Sequence, residues 1–276
     1  MIEPIEYKPL THRIEGEGEP VLLLNGGLMS IAAWEPVATA LTRHYKVIRC
    51  DLRGQLLTPG EPEPKLEPHV ADVIDLLDRL GLDRIHLAGT SYGSFVAIRL
   101  AALHPERVAS VSVIAGTERI TPEAWAGTER LREIALEAIN GGDGGKVLEA
   151  LLPGTYSPEY LEAQKTALAF HKTWVRSMPT IFFKGFVSML SSMEGLDLTP
   201  DLGAVRCPVL IVAPELDKVF PLERSQAMAA GIPNARLEIV PGAPHGIVVE
   251  RADDTARLLL DFLATLATDT TGASNA

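Results

Sequence analysis

Ile85-His-Leu-Ala-Gly89-Thr-Ser91-Tyr-Gly93-Ser-Phe-Val96 is the stretch whose reading decides the fold. Its first four residues form a short strand-type run, and residues 92–103 carry a helical pattern. Between the two lies Gly-x-Ser-x-Gly, with the serine at a strand-to-helix turn. A turn this tight strains the serine backbone, and a glycine two residues to either side leaves room for the adjoining strand and helix. The hydroxyl then projects above the carboxyl end of a sheet, at a helix N-terminus whose dipole favours developing negative charge. Ser91 is read as a nucleophile.

Outward from this turn, short Val, Ile and Leu-rich runs at 21–24, 47–50, 85–88, 108–114, 209–212 and 237–240 alternate with helical patterns. Such alternation marks a mostly parallel sheet covered by helices, an α/β fold. Val70, Val73, Ile74, Leu77 and Leu80 recur at helical spacing and stop at Gly81. A last helix is expected at 251–266. Residues 5–17 read as an antiparallel hairpin leading into the sheet, and the small polar residues 269–276 as a flexible tail.

A serine hydroxyl needs a base, so a histidine must lie nearby in space. Of seven, His12, His44 and His104 fall in the hairpin or in polar connections, His69 precedes a helix, His86 lies inside a strand and His171 in a helical segment. His245 differs. It sits in Pro241-Gly-Ala-Pro-His245-Gly, between the last strand and the last helix, at the same sheet edge as Ser91. The acid that orients it is expected in the loop after strand 209–212, where Asp217 and Glu215 compete, with Glu118 a third candidate. The order Ser91, Asp217, His245 is the one this architecture uses, and Asp217 is preferred. Backbone N–H groups of Tyr92 and of Gly27, in the turn Asn25-Gly-Gly27-Leu-Met29, are the expected donors to an oxyanion.

The alternation breaks over 118–202. Helix starts are plain at Thr121-Pro122-Glu123 and Ser157-Pro158-Glu159, where a hydroxyl caps a helix opened by proline. This segment holds 8 of the 15 aromatic residues, and with Met178, Met189 and Met193 it reads as an apolar helical cap over the sheet. The expected organisation is a core of 1–117 and 203–268, a cap of 118–202 and the tail. Leu28, Trp125, Phe170, Trp174, Phe182 and Phe186 are candidates to line a partly apolar substrate site.

Composition excludes several classes. With 25 basic against 36 acidic side chains the net charge is −11, which disfavours nucleic-acid partners. No apolar run is long enough to span a membrane, and the acids near Met1 do not suit a signal peptide. Two cysteines, Cys50 and Cys207, are too few for a disulfide framework, so a cytoplasmic setting is expected. No metal site, phosphate loop or dinucleotide fingerprint is evident, and no cofactor is expected.

Taken together the residues resemble the α/β-hydrolase superfamily, in its single-domain capped form, over about residues 1–268. Asn25-Gly26-Gly27 through Trp34 resembles the family's His-Gly-x segment. Asp51-Leu-Arg53-Gly54 resembles its D-x-R-G turn, and Ala101-Ala-Leu-His104-Pro-Glu-Arg-Val108 resembles the stretch after its nucleophile helix. The resemblance implies a Ser91–His245–Asp217 triad, an eight-stranded mostly parallel sheet and a helical lid inserted after strand 6. It departs at Asn25, where the family most often has His, and at Gln55-Leu-Leu-Thr, where it has His-Gly-x-Ser. The expected activity is that of a serine hydrolase, carboxylesterase or enol-lactonase in type, on a small ester or lactone. Acyl transfer to another acceptor (a perhydrolase among them), C–C bond hydrolysis, an aminopeptidase and a ligand receptor on the same skeleton stay open, as does the oligomeric state.

Overall fold

The computed structural model describes the backbone of residues 9–272 and side chains through residue 266. The chain runs β1 (His12–Glu15), β2 (Pro20–Leu24), α1 (Glu35–Leu41), β3 (Lys46–Cys50), α2 (Glu67–Arg79), β4 (Ile85–Thr90), α3 (Tyr92–Leu103) and β5 (Val108–Ile114). Six helices follow without a strand: α4 (Pro122–Ile139), α5 (Gly145–Thr155), α6 (Pro158–Ala163), α7 (Lys165–Arg176), α8 (Thr180–Ser191) and α9 (Thr199–Leu202). The sheet resumes with β6 (Val209–Pro214), α10 (Leu222–Gly231) and β7 (Ala235–Val240), and the last described elements are α11 (Ile247–Glu250) and α12 (Ala252–Gly272).

The strands form one sheet in the order β1-β3-β2-β4-β5-β6-β7, with β1 antiparallel to β3 and every other pair parallel. Seven strands, not the expected eight, lie among the described residues, so the helical insertion follows the fifth. Eight was the family's count; the apolar runs of this sequence account for six strands and the edge strand β1 for the seventh. Of the expected hairpin, residues 5–8 lie outside the described residues. The rest supplies β1, which pairs across the sheet with β3 and not with its own neighbour. Buried Arg49 of β3 anchors that edge by pairing with Glu15 and Glu35. Residues 269–272 of the expected tail are the end of α12, and 273–276 lie outside the described residues.

Burial follows the two-residue period of the strands. Leu22 and Leu24 of β2, Leu87 of β4 and Val209 and Ile211 of β6 face a core shared with α2, α3 and the insertion. Val21, Leu23, Ala88, Leu210 and Val212 face the opposite core, against α1 and α12. The five inner strands, β2 to β6, are buried on both faces, which is why they read as nearly continuous apolar runs. Both hydroxyl caps form: Thr121 accepts from the Ala124 N–H and Ser157 from the Tyr160 N–H.

The strand order fixes where a site can lie. The chain runs from β2 out to β3, then returns to the other side of β2 to lay down β4. The crevice at the carboxyl ends of β2 and β4 is the switch point, and the turns after these strands carry Gly26-Gly27 and Ser91. Among the described residues, no helix is long and apolar enough to cross a membrane.

Candidate active site

Ser91 links β4 directly to α3 with φ +49°, a conformation that few non-glycine residues adopt. Its N–H donates to the Ile114 carbonyl of β5 at 2.9 Å, and its own carbonyl accepts from Ser94 Oγ at 2.5 Å. The flanking glycines are required by contact. A Cβ at Gly89 would lie 2.3 Å from the Gly93 carbonyl oxygen, and one at Gly93 would lie 2.4 Å from that of Leu24. Backbone is thus packed on backbone, and the turn has no room to relax.

His245, between β7 and α11, places Nε2 3.0 Å from Ser91 Oγ and Nδ1 2.8 Å from Asp217 Oδ2. An ionised carboxylate only accepts, so Nδ1 carries the proton and Nε2 is left to accept from the serine hydroxyl. Asp217 Oδ1 accepts from the N–H groups of Val219 and Phe220, both at 2.8 Å, which aims the other oxygen at the imidazole. The Phe220 ring meets the imidazole edge-on at 5.3 Å and shields the pair. The competing acids are engaged elsewhere. Glu215 accepts from the Gly242 N–H, and buried Glu118 holds Arg224 at 2.7 Å.

The Asn25–Met29 turn abuts the serine: a Cβ at Gly26 would lie 3.3 Å from Ser91 Cβ. Leu28, half-buried, sits at φ +56°. The Tyr92 N–H opens α3; its side chain is buried, with the hydroxyl 2.8 Å from Ser192 Oγ and the ring edge-on to His69 and Phe95. Burial pushes that phenol well above its ordinary range, so it stays neutral.

The insertion reaches the same edge. On α8, Phe186 is buried, and a Cβ at Gly27 would come within 3.3 Å of its ring. Phe182 is buried edge-on to Phe183, and Trp125 is half-buried beneath Arg132. Phe170 and Trp174 stand on α7, 70% and 39% exposed, and take no part in the buried cluster. The junction of α5 and α6 grips the histidine loop. The Gly246 N–H donates to the Thr155 carbonyl at 2.7 Å, and Ser157 binds Glu250 through both its N–H and its hydroxyl.

The sequence reading missed a polar cluster beneath the Gly26-Gly27 turn. Asn25 Nδ2 donates to Asp51 Oδ1 and Gln55 Oε1, both at 3.0 Å, and Gln55 Nε2 donates to the Gly26 carbonyl at 2.7 Å. Its only trace in the sequence is that Asn25 and the segment Gln55-Leu-Leu-Thr58 depart from the family pattern. Among the described residues, no group of three or more His, Cys, Asp or Glu is gathered to hold a metal ion.

Residues 19–252 match the family model for the alpha/beta hydrolase fold. The chain belongs to that family. Relatives include the protein named "Putative carbamate hydrolase RutD" of Caulobacter sp. (strain K31), 28% identical over 92% of this chain and 96% of its own length. Among solved structures, the enol-lactonase from Burkholderia xenovorans LB400 superposes with a TM-score of 0.80 at 27% identity, covering 92% of this chain and 96% of that one. A thermophilic esterase from Thermogutta terrifontis also gives 0.80 at 27% identity, covering 93% of both chains. These matches make the protein a hydrolase of the α/β-hydrolase fold.

Proposed function

We propose that this hydrolase cleaves a carboxylic ester or lactone through an acyl-enzyme on Ser91. The observation that supports this most is the unbroken hydrogen-bonded series Asp217–His245–Ser91, set at the switch point of the sheet. As the serine attacks the substrate carbonyl carbon, its proton passes to His245 Nε2, and the imidazolium is stabilised by Asp217. The carbonyl oxygen takes up negative charge against the N–H groups of Gly27 and Tyr92. The tetrahedral adduct collapses, and His245 gives its proton to the departing alkoxide. A water then gives a proton to His245 and attacks the acyl carbon, releasing the acid and restoring the serine.

In this reading residues 118–202 act as the lid over a core of 1–117 and 203–268. Phe186, with Leu28 and Phe182, forms an apolar wall for the acyl or alcohol portion, whose burial is worth roughly 25 cal/mol per Å². Phe170 and Trp174, exposed on α7, are not part of that wall.

A second reading, a carbamate as substrate, is favoured by the Caulobacter relative named a putative carbamate hydrolase. The same serine would attack a carbonyl flanked by nitrogen and oxygen. Steady-state rates on p-nitrophenyl butyrate, a small aliphatic lactone and a p-nitrophenyl carbamate separate the two. The ester and lactone are expected to turn over many times and to be inert with Ser91→Ala. A kcat/KM higher for the carbamate would move the assignment to carbamates, and turnover that survives Ser91→Ala would overturn both.

A further inference from the structure

Asn25 and Gln55, one from each of the two places where the chain departs from the family pattern, touch each other, and both are buried. The Gln55 carboxamide has one permitted orientation. Its Oε1 receives two donors, Asn25 Nδ2 at 3.0 Å and the Leu52 N–H at 2.8 Å, so Nε2 must face the other way. There it donates to the Gly26 carbonyl at 2.7 Å, shorter than the 3.4 Å contact of the Met29 N–H with the same oxygen. Asn25 is held in turn by Asp51, whose Oδ1 also accepts from the Ile31 N–H at 2.8 Å and whose Oδ2 accepts from the Leu57 N–H at 2.7 Å.

The peptide joining Gly26 to Gly27 is trans, as are all those among the described residues. In a trans peptide the C=O and the following N–H point in opposite directions. Strand β2, which leads into this turn, lies between β3 and β4. Gln55, in the loop after β3, holds the Gly26 carbonyl. The Gly27 N–H therefore faces away from Gln55, in a turn that abuts Ser91, where a Cβ at Gly26 would lie 3.3 Å from Ser91 Cβ. Two consecutive glycines offer almost no conformational preference of their own, and an outside restraint on this peptide is what such a turn requires.

We infer that Gln55, oriented by Asn25 and Asp51, is a positioning residue that aims the Gly27 N–H at the oxyanion of the Ser91 reaction. This rests on the acyl-enzyme reading above. Gln55 touches no reacting atom; it holds a peptide plane, and pre-set donors are what make such a hole effective.

The test compares p-nitrophenyl butyrate with its thiono analogue, in which sulfur replaces the carbonyl oxygen and the leaving group is unchanged. Sulfur is larger and a poorer acceptor, so it draws little from a well-aimed N–H. In Gln55→Ala and in Gln55→Glu, which keeps the shape but sets an acceptor against the Gly26 carbonyl, kcat for the oxo ester should fall about 10- to 100-fold. KM should move less than about 3-fold, and the oxo-to-thiono ratio of kcat/KM should drop by about the factor lost in kcat. The ratio is independent of the folded fraction, because unfolded molecules contribute to neither rate. Equal slowing of both esters, or no slowing of either, would overturn the positioning role while leaving the hydrolase reading intact. A wild-type protein inert toward both esters would overturn that reading, and the positioning role with it.

Discussion

Gly185 of α8 rests directly on Gly54: a Cβ built at Gly185 would lie 2.4 Å from the Gly54 carbonyl oxygen, 2.5 Å from Gly54 Cα and 2.7 Å from the Gly60 carbonyl oxygen. Three backbone atoms bound this contact, and none can swing aside as a side chain would. The neighbouring pairs Ser188 with the Pro62 carbonyl and Lys184 with Glu61 fix the same helix to the same loop. The residue after Gly185 is Phe186, which lies over Gly27.

Gly185→Ala should therefore force α8 off the loop and carry Phe186 away from the Gly26-Gly27 turn. Overpacking of this kind costs about 1–3 kcal/mol, or roughly 2–12 °C in Tm for a chain of this size. KM for p-nitrophenyl butyrate should rise more than kcat falls. Thermal melts with steady-state kinetics check both; an unchanged Tm and KM would mean that α8 is not seated on Gly54.

The choice among three acids gives a second prediction. Asp217 meets the His245 imidazole, whereas Glu118 is committed to Arg224 and Glu215 to the Gly242 N–H. Asp217→Asn leaves the shape intact but favours the wrong imidazole tautomer, so kcat should drop by about 10⁴-fold. Glu118→Gln weakens a structural ion pair and should leave kcat within about 3-fold while lowering stability, since one partner of a buried pair is lost. Comparable losses of kcat in the two variants would contradict the assignment of Asp217.

His69 sets a pH dependence of stability. Its ring is fully buried against Tyr92, and neither nitrogen finds a hydrogen-bond partner among the described residues. Burial first, and the Arg53 guanidinium second, bring its pKa down from 6.5 to about 4. Between these values the unfolded chain binds a proton that the folded protein refuses, so stability rises with pH there. It is full above pH 6.5 and is lost as pH falls toward 4, by about 3 kcal/mol for this one group. Urea unfolding at pH 7 and pH 4.5 should show a smaller loss in His69→Leu than in the wild type. Equal losses would mean that His69 is not held neutral by the fold.

The fold was legible because its signals are local. The Gly89–Gly93 pentapeptide, the apolar strand runs and the two proline-opened helices each declare themselves within a few residues. The loops holding Asp217 and His245 follow from the same logic, since both leave the carboxyl edge of the sheet. Contacts between distant backbone segments were not legible. Nothing in the sequence around Gly54 or Gly185 says that the two will meet, and Gln55 signals only that a pattern is broken, not that it binds Gly26. Phe170 and Trp174 show how little aromatic content says about placement. Aromatic content alone groups them with Phe186 as site candidates, yet Phe186 is buried and these two are exposed on α7. The strand count went astray because it was carried over from a family and not read from these residues.

An acyl-enzyme on Ser91 can be caught directly. Protein mixed with excess p-nitrophenyl butyrate and quenched in acid during turnover should carry one butyryl group, located by peptide mass spectrometry on the segment containing Ser91. The adduct should be absent from Ser91→Ala, which should also fail to turn over. Steady turnover with no adduct at Ser91, or with the adduct on another residue, would rule out Ser91 as the nucleophile.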